Sequence, residues 1–340
     1  MRNYLMPFFF ICALSAQPDL LWQTVYPDED VYYQALSVVD VSDTTSNGFL
    51  VSGTNGWGTG ILTKFNDSYE DPFIEWENLF SSNDVGAFYS TIRIQPNLNI
   101  AIGYEISPEN DNDAVIASFD DYGSLNWLNT FGGEYPDYLY DVNMTISNDS
   151  LIACGQKGVL NHNGVFWIVK TDLDGNVIWE YLDDGEEDGV ASSIIHSNSI
   201  NSPIIAVGTY GDRSSGWLSA CGRIVIRGGN NSGYMDETYC DESGNNRRFF
   251  SVTESYDSTS VIIAGYTTDS DDNVDMFLME FSLDGNGVLW EKTYDFDSYD
   301  VAHSVKQNPS GGYSITGFSG TGSIQMGSTL SHLTVLYTDN

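Results

Sequence analysis

At 340 residues, with 41% hydrophobic and 14% aromatic side chains, the chain has ample material for a packed core, which excludes a disordered protein in spite of its acidity. Its 12 Lys and Arg stand against 48 Asp and Glu, a formal net charge of −36 that repels nucleic acid and anionic lipid and attracts cations and basic partners. No stretch is long and apolar enough to cross a bilayer as a helix, so no integral membrane association is expected.

Residues 1–16 read as a secretory signal, with Arg2 as the n-region charge, a short apolar run over 8–14, and Ala13, Ser15 and Ala16 as small residues for cleavage. This predicts a secreted, cell-surface or periplasmic protein whose residues 17–340 form one domain, expected to be a monomer. The first predicted strand is 20–26, followed by an acidic and aromatic loop with Asp28, Glu29, Asp30, Tyr32 and Tyr33. From there one pattern recurs about every 50 residues: an apolar stretch ending in a small residue and Gly, about a dozen residues, and a second apolar strand. The six glycines are Gly53, Gly103, Gly155, Gly208, Gly265 and Gly317, and a period of that size points to a β-propeller or a solenoid.

The third unit shows the pattern most clearly. Residues 138–146 alternate, 151–155 and 165–171 are apolar, and Asp174-Gly175-Asn176 leads into 177–181, so Asp-Gly between two strand-like runs predicts a hairpin. Each unit is therefore expected to be a four-stranded sheet. A Trp follows this turn as Trp22, Trp76, Trp127, Trp179 and Trp290, with Met235 in its place in the fourth unit, and repeated large side chains of this kind fill the space between radially packed sheets.

Trp127, Phe131, Gly132 and Gly133, with Gly311, Gly312, Tyr313 and Gly317 and with Lys170, Asp172, Gly175 and Trp179, carry a resemblance. They resemble the degenerate propeller repeat of many secreted bacterial proteins, distantly similar to quinoprotein-type and kelch-type blades, over about residues 19–340. What the resemblance implies is the fold. The ends of the chain fit it, because 20–26 matches a strand after the turn and 332–337 a strand before it. The expectation is an all-β, six-bladed propeller of four-stranded blades, closed when the N-terminal strand completes the last blade and removes an open edge.

The fourth unit departs most from the repeat. Cys221 and Cys240 lie symmetrically about the loop 228–233, which places them opposite each other in an antiparallel hairpin and predicts a disulfide, with Cys154 left as a buried thiol. Arg213, Arg223, Arg227, Arg247 and Arg248 gather in the same unit, either as an anion site or as partners of acidic loops.

Loops that lead into the units cluster acids with aromatics: Asp137, Asp141, Tyr138 and Tyr140 in one, Asp295, Asp297, Asp300 and Tyr299 in another. Such a face is expected to hold a glycan, a cation or a protein through Asp137, Tyr138, Asp141, Asp297, Tyr299, Asp300, Arg213 and Arg247. The alternative for Asp137 and Asp300 is that each carboxylate accepts backbone N–H groups and fixes a turn. Residues 269–275 resemble a calcium loop loosely, so Asp269, Asp271 and Asp275 are candidate Ca²⁺ ligands, although the Gly and the terminal Glu of such a loop are missing. The four histidines have no metal-ligand spacing, and no nucleophile elbow is present. The leading expectation is a non-enzymatic recognition module. A channel-centred hydrolase or lyase, with Ca²⁺ as its cofactor, is the alternative.

Overall fold

The computed structural model describes residues 33–338 apart from 43–47, 56–57, 67–72, 82–84, 107–111, 161, 184–186, 213–219, 241–245, 269–272, 310 and 324–326. These residues form an all-β structure in which strands pair with their neighbours in chain order. The first sheet is β1 (Tyr33–Asp40), β2 (Gly48–Asn55), β3 (Gly60–Asn66) and β4 (Phe73–Leu79). The second is β5 (Val85–Gln95), β6 (Leu98–Ile106), β7 (Asn112–Phe119) and β8 (Leu125–Phe131), and the third is β9 (Tyr138–Met144), β10 (Ser150–Val159), β11 (His162–Asp172) and β12 (Val177–Leu182). The fourth is β13 (Asp188–His196), β14 (Ile204–Gly211), β15 (Cys221–Arg227) and β16 (Gly233–Tyr239).

The remaining strands, β17 (Arg247–Glu254), β18 (Ser260–Thr268), β19 (Val274–Ser282), β20 (Val288–Tyr294), β21 (Tyr299–Gln307), β22 (Tyr313–Ser323) and β23 (Gly327–Tyr337), form one seven-stranded sheet. It consists of two antiparallel ladders, β17 to β20 and β21 to β23, joined by the single parallel pair Val274↔Tyr299. Five sheets therefore stand among the described residues where six were expected, because this one pair fuses two ladders. Residues 1–16 and the expected strand 20–26 lie outside the described residues.

Burial is radial. The second strand β18 is buried at every position, whereas the fourth strand β12 is exposed or half-buried throughout. Core clusters sit between consecutive units: Leu50 and Leu62 pack with Phe88 and Val115, Ile102 with Leu139 and Trp167, Ile152 and Phe166 with Ile204, Ile224 with Phe249 and Phe277, and Ile262 with Ala302 and Ile315. The second, third and fourth sheets thus each bury one face against the sheet before and one against the sheet after, the arrangement that makes two-faced sheets stable without a second layer. Phe80, Phe88 and Phe119 show the density of this packing, with edge-to-face rings 5.2 to 5.8 Å apart.

Trp76, Trp127, Trp179 and Trp290 lie half-buried at the same boundaries. Trp76 Nε1 donates to Asp121 O and Trp179 Nε1 to Gly229 O, both 3.0 Å, and each acceptor lies in the hairpin turn of the following unit. Trp127 presses on the next turn at Gly175, where φ is +79° and an added Cβ would stand 2.7 Å from the indole. That turn needs Gly twice over, for its backbone conformation and for the close approach.

The six recurring glycines share one cause. In each ladder the register slips by one residue opposite the Gly, so Gly53, Gly103, Gly155, Gly208, Gly265 and Gly317 each face a β-bulge in the first strand. A Cβ on any of them would sit 1.8 to 1.9 Å from a carbonyl oxygen of that bulged strand. The bulge leaves one extra residue in each first strand: Leu36, Tyr89, Tyr140, Ser192, Phe250 and His303.

Cys221 and Cys240 are bonded, with Cα atoms 4.5 Å apart across the β15–β16 hairpin, while Cys154 is free and buried. Closing a loop of that size stabilises by about 3 kcal/mol in the chain-entropy treatment.

Candidate functional site

The bulged residues and the residue after each of them define an axial channel. One cavity of about 400 Å³ is lined from all six first strands, by Leu36 and Ser37, Tyr89 and Ser90, Tyr140 and Asp141, Ser192 and Ser193, Phe250 and Ser251, and His303 and Ser304. A second cavity, about 410 Å³, shares Tyr89, Tyr140, Ser192, Phe250 and His303 with the first and adds Gln156, Val190 and Arg248. The bulged side chains therefore separate two vestibules on one axis.

A chain of hydrogen bonds runs around the axis just behind the bulges. Thr91 N donates to Ser37 Oγ at 3.2 Å, Ile194 N to Asp141 Oδ2 at 2.9 Å, Val252 N to Ser193 Oγ at 3.4 Å and Val305 N to Ser251 Oγ at 3.3 Å. Every one of these joins a unit to the next. A small hydroxyl suits this position because it reaches a neighbouring N–H without filling the channel.

Asp141 stands where the other units carry Ser. Its carboxylate accepts from Ser90 Oγ at 3.1 Å, Ser193 Oγ at 2.9 Å and Ile194 N, and so ties three consecutive first strands together. Although the carboxylate touches the channel lumen, the protein surrounding it displaces bulk water, and this desolvation pushes its pKa up against the pull of those hydrogen bonds. The sign for stability follows from linkage. A carboxyl whose pKa is raised by folding binds its proton more tightly in the folded state, so its contribution is full below the unfolded value near 3.8 and is lost as pH rises through the higher folded value. Relative to an Asp141→Asn variant, the parent is therefore expected to lose stability on going from about pH 4 to neutral. Paired thermal melts across that range check this, and a parent that gains on the variant would contradict it.

The vestibule containing Arg248 has aromatic walls. On one side Tyr89, Tyr104, Tyr138 and Tyr140 form a ring cluster with centroids 5.1 to 6.1 Å apart. On the other, Phe250 stacks on His303 at 5.2 Å, His303 meets Phe318 at 5.5 Å, and Phe318 stacks on Tyr299 at 5.6 Å. Arg248 lies over Phe250 and Tyr266, 5.3 and 5.9 Å from their centroids, and its Nε donates to Thr209 Oγ1 at 3.3 Å. Its guanidinium is thus held at the channel by cation–π contact with the two rings. Desolvation, followed by the charge of Arg248, lowers the His303 pKa and keeps the imidazole neutral at pH 7.

The structure disperses the residues singled out from the sequence. Asp141 lies within β9 at the channel rather than in a preceding loop, and Tyr138 and Tyr299 contribute to the two aromatic walls. Asp137 is buried and accepts Gly158 N at 2.8 Å, and Asp300, also buried, accepts Phe296 N at 2.6 Å and Asp297 N at 2.9 Å, so both fix backbone. Asp297 is exposed. Arg247 pairs with Glu291 at 3.0 Å, Arg223 with Asp183 at 2.7 Å and Arg227 with Asp236 at 2.6 Å, while Arg213 lies outside the described residues. The arginines expected in one unit are thus split, Arg223 and Arg227 on β15 and Arg247 and Arg248 on β17; three of these four have local acidic partners, and Arg248 borders the channel. Asp269 and Asp271 also lie outside the described residues, and Asp275 is at the start of β19.

Sequence reasoning passed over Tyr89 and Phe250, weighed His303 only for metal-ligand spacing, and weighed Arg248 only as one of five clustered arginines. A signal for the first three exists: each bulged residue precedes its Gly by 14 to 17 positions and is followed by Ser in five units and by Asp in one.

Comparison with solved structures shows the fold. The periplasmic gluconolactonase of Pseudomonas aeruginosa aligns with a TM-score of 0.57 at 11% identity, covering 92% of this chain and 90% of that one. A candidate 6-phosphogluconolactonase from Bacteroides uniformis aligns at 0.54 and 10% identity over 90% and 86% of the two chains. Sqt1 of Chaetomium thermophilum, solved with the N-terminus of a ribosomal protein, aligns at 0.52 and 10% identity over 82% and 67%. This is a β-propeller fold. At such identities the likeness reaches the fold and no further, and it joins two lactonase descriptions to one protein-binding one. Neither a protein-family model nor a curated protein sequence matches the chain.

Proposed function

We propose that the chain is an extracytoplasmic, six-bladed propeller of four-stranded blades whose Arg248 vestibule binds a saccharide carrying a carboxylate. The observation that carries the ligand is the vestibule itself, where aromatic faces from two sides of the channel flank one guanidinium and no carboxylate lines the cavity among the described residues. Six first strands around one axis place β5 across from β17 and β9 across from β21, so Tyr89 faces Phe250 and Tyr140 faces His303. Flat rings on both sides suit a sugar ring, and a planar guanidinium suits a carboxylate through two parallel hydrogen bonds. The net charge of −36 does not prevent this, since charges more than about 8 Å away are largely screened at physiological salt.

The six-blade count is supported by the six-sided cavity lining, with the fifth and sixth blades sharing the Val274↔Tyr299 seam. An oxidising compartment is supported by the Cys221–Cys240 bond.

The test is a binding screen of uronate-containing and neutral oligosaccharides by calorimetry, with the parent and Arg248→Ala. Acidic saccharides are expected to bind, and the variant to lose at least about tenfold in affinity, as one charge-assisted pair is worth about 1.5–3 kcal/mol. Equal binding of neutral and acidic sugars, or an unaffected variant, would remove this reading.

The hydrolase alternative draws on one observation, that a neutral His303 and the desolvated Asp141 border the same cavity. Product formation from a lactone or glycoside that is abolished in His303→Ala would favour it.

A further inference from the structure

We infer that Asp275, Asp295 and Asp300 hold a divalent cation, with Ca²⁺ the best fit, at the seam where β19 meets β21. One carboxylate oxygen from each lies within 4.8 Å of the other two. An ion bound at about 2.3–2.6 Å keeps its oxygens no more than about 5 Å apart, so a single Ca²⁺ fits within this limit, and three carboxylate oxygens suit its preference for hard oxygen ligands.

Asp300 supplies the independent sign of a ligand. Its side chain is fully buried, Oδ2 accepts Phe296 N and Asp297 N, and Oδ1 is buried without a hydrogen-bond partner. A buried anionic oxygen left unpaired beside two further carboxylates is costly on its own and more so through repulsion. A bound cation removes both costs. It also explains the placement, because the same seam carries the Val274↔Tyr299 pair and the Val274 N to Ser298 O bond at 3.2 Å, the only ladder contact that fuses two sheets among the described residues.

The chain contains its own control. At the junction of β7 and β9, Asp113 and Asp137 occupy the positions of Asp275 and Asp300: Asp113 and Asp275 each precede by two the partner of a bulge glycine, and Asp137 and Asp300 each precede a bulged residue by three. Asp295 follows Trp290 by five positions, and the residue five after Trp127 is Gly132. A Cβ on Gly132 would meet Asp113 Oδ1 at 1.5 Å, so there the carboxylate occupies the space in which a third side chain would begin. Two acids therefore recur at these two corners of the fold, and of the two only the seam adds a third.

This inference is independent of the saccharide reading. Calorimetric titration of the full chain with Ca²⁺ is expected to show one saturable step above the weak binding common to an acidic surface. Asp295→Gly, an exposed position that reproduces the Gly132 corner, is expected to weaken that step at least tenfold, and Asp113→Asn to leave it unchanged. Melting curves with and without chelator give a second readout, since a cation bound only by the folded state raises Tm in the parent and not in Asp295→Gly. A parent with no saturable step at millimolar Ca²⁺, an Asp295→Gly variant that binds as the parent does, or an equal loss in Asp113→Asn would each overturn the site.

Discussion

Replacing Gly208 with Ala is expected to destabilise the protein by about 3–4 kcal/mol, near the top of the range for single substitutions. The backbone there has no left-handed conformation to protect, so the cost is steric. A Cβ would lie 1.9 Å from Val190 O and 2.9 Å from Ala191 Cα, and the obstacle is backbone on the first strand rather than a side chain that can swing aside. Relief requires β13 and β14 to separate or the bulge to be lost, and losing the bulge shifts Ser192 and Ser193 relative to the channel. Denaturant unfolding of Gly208→Ala against Gly133→Ala checks this. Nothing lies within 4 Å of a Cβ at Gly133, so that variant should be neutral or gain up to about 1 kcal/mol from a stiffer unfolded chain. Equal stabilities for the two variants would show that the bulges tolerate a side chain.

Deleting residues 17–26 is expected to cost about 4 kcal/mol and to promote association, on the basis of roughly 2 kcal/mol for each of two apolar side chains removed from a blade boundary. Five ladders carry a fourth strand after their third, and among the described residues β23 is hydrogen-bonded only to β22. Trp76 and Trp179 reach turns of the next unit, whereas the Trp290 indole donates to Glu280 within its own ladder and sits beside Tyr313 and Leu336. The unit after Trp290 thus has no fourth strand among the described residues, and 20–26 with Trp22 has the matching sequence pattern. An uncovered β23 would be an edge available to other chains. Denaturant unfolding with light scattering measures both effects, and a truncated protein that is as stable and as monodisperse as the parent would argue against closure.

The repeat was legible because its causes are local. The glycines recur because every unit needs one position without a Cβ, the Asp-Gly turn because a hairpin needs positive φ, and the tryptophans because every boundary has the same gap to fill. The Cys221–Cys240 pairing was equally legible, since antiparallel register follows from distance to the turn.

The site was less so, and Asp141 and Asp300 show why. In sequence both are acids next to tyrosines. In the fold Asp141 enters the axial ring because a one-residue bulge rotates β9, and Asp300 meets Asp275 and Asp295 because two ladders touch at a single pair. Arg248 differs from Arg247 by one position, yet alternation along β17 sends one to the channel and the other to Glu291. The sequence by itself determined the strands, the turns and the residues that every blade must share. Which unique residues meet around the axis was decided only by tertiary structure, because those contacts join positions about 50 residues apart, and their pairing depends on bulge register and on how neighbouring units pack rather than on any local propensity.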